Sequence, residues 1–398
     1  MNNYYNIKID FRTWLALIVI SIAITSCESS EKLMYSFNPG KLTEHEKNLS
    51  EFADDIIYIP LDNSIPLDLI YGFKFSDDKI YLSVKNNGLL VYTSHGKFIR
   101  KIGNTGRGPG DYFHFTNFVV DQKSGKVYIN DTKNVIKVFS KDGRFVRNIT
   151  IDETLGNLEE IGFLDSWLFA SFSMQFSEAK YNWIIIDTLG NLVKSQKRSL
   201  PLFWSNWNPQ SGTYYLDDRL YYWNSYNDTV FSISADLNIG VSFLFAQGDH
   251  RLPLSTLDPS TVTKYMLVRS VFESPKLLFV RCDYNKNRIN TIIDKTSNEH
   301  CFVSIRDDVK GWIVNDIDAG ISFSPINYYC ENGNDYLAGI IYPIELKAHV
   351  YSDEFLKSNP LYPEKKNALE KLANNLKETD NPVLMIVKLK KTPFNHKN

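Results

Sequence analysis

The densest run of chemistry-bearing residues is Gly103-Asn104-Thr105-Gly106-Arg107-Gly108-Pro109-Gly110-Asp111-Tyr112, with His114 close behind. A glycine-rich loop can cradle phosphate, but only where a helix N-terminus follows to supply converging N–H groups. Here the pattern that follows, Phe115 to Val120, is that of a strand, so a nucleotide site is rejected. Arg107, Asp111, Tyr112 and His114 stand instead as candidate ligand contacts. The competing reading is that Asp111 and Tyr112 only brace the loop. A second concentration is aromatic: ten rings between Phe203 and Phe231. Pro201, Pro209 and Gly212 put Trp204 and Trp207 on a loop, where flat apolar faces suit sugar rings or peptides. Tyr221 and Trp223 fall in a strand and read as packing.

Other chemistry is thin. There is no HExxH, GxSxG, Walker loop or paired CxxC. The histidines at 45, 95, 114, 250, 300, 349 and 396 show no ligand spacing. A metal would need ligands converging from distant segments. Asp121, Asp165, Asp217 and Asp316 could do this for calcium, though each also reads as a turn residue. No catalytic residue, metal ligand or cofactor is assigned, and calcium stays open. Cys282, Cys301 and Cys330 are odd in number, which leaves one disulfide or a set of buried thiols.

The elements that position these residues follow from a repeat. Tyr81–Ile102 aligns without gaps on Tyr128–Ile149, an offset of 47, and a fainter copy around Ile184–Val193 keeps it. Each copy alternates apolar and polar residues, breaks at a polar turn, alternates again, and then turns at a glycine (Gly96, Gly143, Gly190). With a preceding inner strand such as Phe118–Val120, each unit has four antiparallel strands, the grammar of a propeller blade. The 55 aromatic residues in 398 fit such pleated surfaces.

The expected fold is therefore all-β, a six-bladed β-propeller, with seven blades as the alternative. Blade-like strands recur at Arg219–Trp223, Thr229–Ile233, Leu277–Cys282, Ile289–Ile293, His300–Ile305, Ile321–Ser324, Asn327–Cys330 and Leu337–Tyr342. Gln247–Lys264 and Ser352–Asn381 read as insertions, the latter holding a helix over Pro363–Leu376. Val383–Leu389 and Ile56–Ile59 are expected to share a blade, because a closed ring leaves no free sheet edge. In such a ring the Gly103–Tyr112 loop joins an outer strand to the next inner strand, at the end where the central pocket opens.

The first segment reads as an address. Lys8 and Arg12 precede the 12-residue apolar run Trp14–Thr25, too short to span a bilayer at about 20 residues. Ile24-Thr25-Ser26-Cys27 resembles a lipobox, which would make Cys27 the diacylated mature N-terminus. The expected organisation is a signal peptide over 1–26, lipidated Cys27 with a polar tether to residue 50, one propeller domain over 51–391 and a tail over 392–398. A formal charge of −2, from 44 basic and 46 acidic residues, argues against a nucleic-acid partner.

These residues resemble the six-bladed propeller lipoproteins of Bacteroidota, distant relatives of NHL-repeat and TolB-like propellers. Val127–Phe139 looks like an NHL core. Gly108-Pro109-Gly110-Asp111-Tyr112 looks like the group's Gly-Pro-Gly-Glu-Tyr loop with Asp in place of Glu. Asp380-Asn381-Pro382-Val383-Leu384 looks like its C-terminal signature. The resemblance implies the fold and anchorage at the outer membrane, periplasmic or surface-exposed, but no catalytic residues. The leading expectation is a monomeric, membrane-anchored binding module for a small glycan, a peptide or an envelope partner. The alternatives are a calcium-dependent hydrolase or lyase and an envelope scaffold.

Overall fold

A computed structural model describes residues 33–36, 38, 44–113, 115, 117–173, 179–198, 210–246, 248–253, 255, 260–297, 299–305 and 312–391. It is nearly all β and propeller-like. Sheet 1 holds Ile70–Ser76, Lys79–Val84, Gly88–Thr93 and Phe98–Ile102. Sheet 2 holds Asn117–Val120, Val127–Asp131, Val135–Phe139 and Phe145–Thr150, and sheet 3 holds Leu158–Leu164, Trp167–Phe172, Tyr181–Asp187 and Leu192–Lys197. Sheet 4 holds Ser211–Leu216, Arg219–Asn224, Thr229–Ile233 and Ile239–Ala246. Sheet 5 holds Leu267–Glu273, Leu277–Tyr284, Asn287–Asp294 and His300–Ile305. Sheet 6 is built from both ends of the chain: Asn327–Glu331, Asn334–Ile341, Val383–Leu389 and Ala53–Pro60. Within each, these four strands are antiparallel.

The 47-residue repeat has a local cause. Gly96, Gly143 and Gly190 close the hairpins to the outer strands of sheets 1, 2 and 3 with φ of +80°, +83° and +98°. A side chain resists that conformation, so glycine recurs at the repeat spacing. The tight turns between first and second strands use Asp77-Asp78 and Asp217-Asp218, with all four residues at positive φ.

Because direction alternates along each sheet, every inner strand starts at the same end of the molecule. That end, the mouth end, also carries the turns between second and third strands. The opposite end carries the short hairpins on either side of them, and is the turn end. Neighbouring sheets are stitched in sequence. Phe75 stacks on Tyr329 at 3.9 Å between sheets 1 and 6, and Tyr128 stacks on Phe163 at 5.0 Å between sheets 2 and 3. Between sheets 3 and 4 the Phe163 N–H donates to the Tyr215 hydroxyl, and the Tyr214 hydroxyl donates to Glu273 between sheets 4 and 5.

The terminal strands pair as expected, Ala53 opposite Leu389 through Pro60 opposite Val383. Asn381 fixes this junction. Its amide donates to the Asp62 and Ile65 carbonyls and its side-chain oxygen accepts from the Leu67 N–H.

Several elements differ from the sequence reading. Ile321–Ser324 is no strand. It lies in the segment 312–326, tied by one bridge between Ile313 and Phe323, because Ala53–Pro60 already fills the fourth place of sheet 6. The insertion between Ile341 and Val383 holds three helices rather than one: α1 (Pro343–Val350), α2 (Asp353–Lys357) and α3 (Pro363–Asn375). Pro343 starts α1 at a position that needs no N–H donor, and Leu346 and Val350 bury one face. The expected stripe of α3 does bury, through Leu369 and Ala373. Leu33–Ser36, inside the stretch read as a tether, forms a fifth, parallel strand on sheet 4. Among the described residues Cys282, Cys301 and Cys330 are free thiols, and only Cys282 is buried. No helix among the described residues is long and apolar enough to cross a membrane.

Candidate functional site

The glycine-rich loop crosses from sheet 1 to sheet 2 and is pinned by its own side chains. Tyr112 is buried. Its hydroxyl donates to the Ile102 carbonyl and accepts from the Leu89 N–H, both at 2.9 Å. Its ring meets Phe115 and Phe139 edge-on. A Cβ on Gly88 would fall on the Tyr112 hydroxyl, and one on Gly103 would lie 2.8 Å from its ring. Two of the surrounding glycines are thus explained by the space one tyrosine takes. Asp111 accepts from the Gly108 N–H at 3.0 Å, and its carboxylate fills the space a Cβ on Gly106 or Gly108 would need. Arg107 is exposed, with its guanidinium 6.0 Å from the ring centroid of the exposed Phe113. Arg107, Asp111 and Tyr112 lie in one loop, but Asp111 and Tyr112 are turned to bracing it. His114, Trp204, Trp207 and Cys27 lie outside the described residues.

The strand aromatics Tyr221 and Trp223 pack as expected. Tyr221 and Trp223 are buried, Tyr221 stacks on Tyr214 at 4.8 Å, and the Trp223 indole occupies the space beside Gly212. Of the four aspartates considered for calcium, three have partners of their own. Asp121 accepts from the Lys123 N–H within its own turn, and Asp165 pairs with Lys123. Asp217 sits in a turn at positive φ, and Asp316 accepts from the Ser50 N–H. Among the described residues no group of three or more His, Cys, Asp or Glu is placed to hold a metal ion.

Chemistry gathers at positions that carry no sequence motif. Lys74 on the inner strand of sheet 1 interacts electrostatically with Glu160 on the inner strand of sheet 3. Sheet 2 stands between those sheets, so the two charges act on each other across the space that the inner strands surround. Sheet 2 contributes Asn117, whose amide donates to Glu160 at 2.6 Å, and Phe118, whose ring centroid is 5.4 Å from the Lys74 ammonium. The Asn117 side-chain oxygen is buried and has no hydrogen-bond partner among the described residues. Glu159 joins the cluster through a bulge: the register between the first two strands of sheet 3 shifts between Leu158 and Glu160. Bulges re-aim side chains, and here one sets two consecutive carboxylates beside each other. Sheets 1 and 5 carry the same irregularity at the start of their inner strands.

The electrostatics follow from burial. Desolvation pushes the Glu159 carboxyl up to about 7, with the nearby Ser211 hydroxyl opposing the shift. Desolvation also raises Glu160, with Glu159 adding to the shift and Lys74 and Asn117 opposing it. Lys74 is lowered by the same desolvation, with Glu160 pulling it back. Two carboxyls and an amine are thus held with their proton affinities drawn toward one another. Such a cluster can accept hydrogen bonds from a polar ligand or move a proton. Only three-dimensional convergence reveals it, because its members are 43 to 86 residues apart from Lys74 in the chain.

The fold has relatives. A protein of Bacteroides fragilis described as exported superposes with a TM-score of 0.66 at 17% identity, covering 90% of this chain and 100% of the other. A member of the DUF4221 family from Bacteroides vulgatus gives 0.47 at 11%, with 85% and 97% covered. Virginiamycin B lyase from Staphylococcus aureus gives 0.42 at 12%, with 84% and 99% covered. No curated protein matches the sequence. The family model that matches spans residues 34–388, and the chain therefore belongs to DUF4934, a domain of unknown function.

Proposed function

We propose that this protein is an exported, lipid-tethered six-bladed propeller that binds a small polar ligand, a glycan or a peptide end, at the mouth of its axis. The observation that supports this reading is the convergence of Lys74, Asn117, Glu159 and Glu160 from three sheets. Arg107 and Phe113 form part of the rim. A tethered module is in keeping with the lipobox-like Ile24–Cys27 and with an exported relative of the same fold. The test is a thermal-shift screen of mono- and oligosaccharides and short peptides, followed by calorimetry on the hits. Affinity is expected to fall at least tenfold in Asn117→Ala and Glu160→Gln. A hit bound equally well by both folded variants overturns the site.

A second reading rests on the raised carboxyls. Glu159 and Glu160 beside Lys74 have the proton affinities of a general acid–base group, which suits a lyase or hydrolase working by proton transfer. Turnover of a screening hit, lost in Glu159→Gln, would select this reading over simple binding. The calcium-dependent form is tested by calorimetry with and without chelator. Stabilisation by calcium supports it, and no shift removes it.

A further inference from the structure

Charge drawn into this fold is ordinarily paired. Glu273 meets Lys295 at 2.8 Å, and Arg269 meets Asp283 at 2.7 Å. Arg269 makes the sharper comparison. It is the extra residue of the bulge in the inner strand of sheet 5, as Glu159 is in that of sheet 3. The bulge in sheet 5 thus delivers a charge to a partner of the protein's own. Lys74 and Glu160 break the pattern. Each feels the charge of the other, yet among the described residues neither is in ion-pair contact with an opposite charge.

The backbone holds these charges apart. Asn327 of sheet 6 donates to the Phe73 carbonyl at 2.9 Å, one residue before Lys74. Asn130 of sheet 2 donates to the Glu159 carbonyl at 3.1 Å, one residue before Glu160. Each inner strand is therefore clamped from a neighbouring sheet beside its charge. The heads are placed as well, the Lys74 ammonium 5.4 Å from the Phe118 ring centroid and the Glu160 carboxylate 2.6 Å from the Asn117 amide. Lys74, Glu159 and Glu160 are half-buried, so solvent still reaches them. One side of the space carries an amine and the other two carboxyls, which is complementary to a molecule bearing both signs.

We propose that the ligand of this site is a small zwitterion of the α-amino acid type, its carboxylate on Lys74 and its ammonium between Glu159 and Glu160. This rests on the axial cluster being the ligand site and names what that site takes. An α-amino acid separates its nitrogen from its carboxyl carbon by about 2.5 Å. A charge-assisted hydrogen bond adds about 2.8 Å at each end. One such molecule bridges a gap that Lys74 and Glu160 do not close themselves. An ammonium offers three protons, and Glu159, Glu160 and the Asn117 side-chain oxygen are three acceptors. Desolvation raises both carboxyls, and an ammonium beside them favours their ionised form. A neutral sugar leaves both charges unanswered, and a simple anion or cation answers one sign only.

The test is calorimetry with the free L-amino acids and, for the tightest of them, its N-acetyl and carboxamide forms. Blocking either end is expected to weaken binding to the wild type at least tenfold. In Lys74→Met the carboxamide should bind as well as the free acid while acetylation keeps its penalty. In Glu160→Gln the acetylation penalty should shrink several-fold while the carboxamide penalty stays. Lys74→Arg, which keeps the charge, should behave as the wild type does. If a variant fails to fold, by circular dichroism and urea unfolding, the wild-type comparison of free and blocked forms still decides. Blocked forms bound as tightly as the free amino acid, penalties that move equally in both variants, or no amino acid bound at all would overturn the proposal. The site is tested apart from its ligand class. A neutral glycan whose affinity falls in Asn117→Ala and Glu160→Gln keeps the axial site and removes the zwitterion, whereas amino acid binding indifferent to both Lys74 and Glu160 removes both.

Discussion

The loop over Gly103–Tyr112 and the axial cluster around Glu160 belong to the same end of the molecule, yet they are built on opposite principles. In the loop the Asp111 and Tyr112 side chains are spent. The Tyr112 hydroxyl both donates and accepts, and Asp111 closes on Gly108. In the cluster two carboxyls and an amine are desolvated together, and the Asn117 oxygen has no partner among the described residues. The loop stabilises the joint between two sheets. The cluster holds polarity that the fold itself does not use, which is what a binding or proton-transfer site requires. A motif that stands out in sequence therefore need not be the site.

That contrast is sharpest under mutation. Tyr112→Ala removes a buried ring and both of its hydrogen bonds, and is expected to cost about 3–5 kcal/mol in denaturant unfolding. Tyr112→Phe keeps the ring and leaves the Leu89 N–H unmet, for about 1–3 kcal/mol. A smaller loss in the alanine variant than in the phenylalanine variant would break the account of the loop. The double variant Lys74→Met with Glu160→Gln should stay within about 1 kcal/mol of wild type, because removing two desolvated opposite charges together is often close to neutral. A loss as large as that of Tyr112→Ala would make the cluster a structural device. Arg107→Ala, at an exposed position, should change stability by no more than about 0.5 kcal/mol.

Acidity separates the two regions as well. A carboxyl raised to about 7 in the folded chain binds a proton more tightly there than in the unfolded chain, where it titrates near 4.3. The folded state then holds more protons between those values, so stability falls as pH rises from about 4.5 to 7. Glu159→Gln should flatten that fall in urea midpoints measured across the window. A variant with the wild-type slope would show that Glu159 is solvated like any surface carboxyl.

Much of the fold was legible in the sequence for identifiable reasons. Gly96, Gly143 and Gly190 must recur because their backbone is left-handed, so the repeat survives in the letters. The pairing of the two terminal strands followed from the requirement to leave no free edge. The helices Pro343–Val350 and Asp353–Lys357 were missed because they are too short to show a clear period. Leu33–Ser36 was missed because four residues beside a polar stretch carry no strand pattern of their own. The candidate site was illegible for a different reason. Lys74, Asn117 and Glu160 each occupy an ordinary strand position, and only the circular arrangement of inner strands makes them neighbours. The one local signal was Glu159-Glu160 at the start of a strand, where alternation alone would send one carboxylate into the core.

The central claim is that Glu159 and Glu160 form one desolvated cluster with Lys74 on the axis. The most direct measurement is a pH titration of selectively ¹³C-labelled glutamate carboxyls by NMR, in wild type and in Lys74→Met. The account predicts two carboxyls titrating well above the ordinary range, one of them near 7, with Glu160 moving further up when Lys74 is replaced. Finding both between 4 and 5 and indifferent to Lys74 would contradict it.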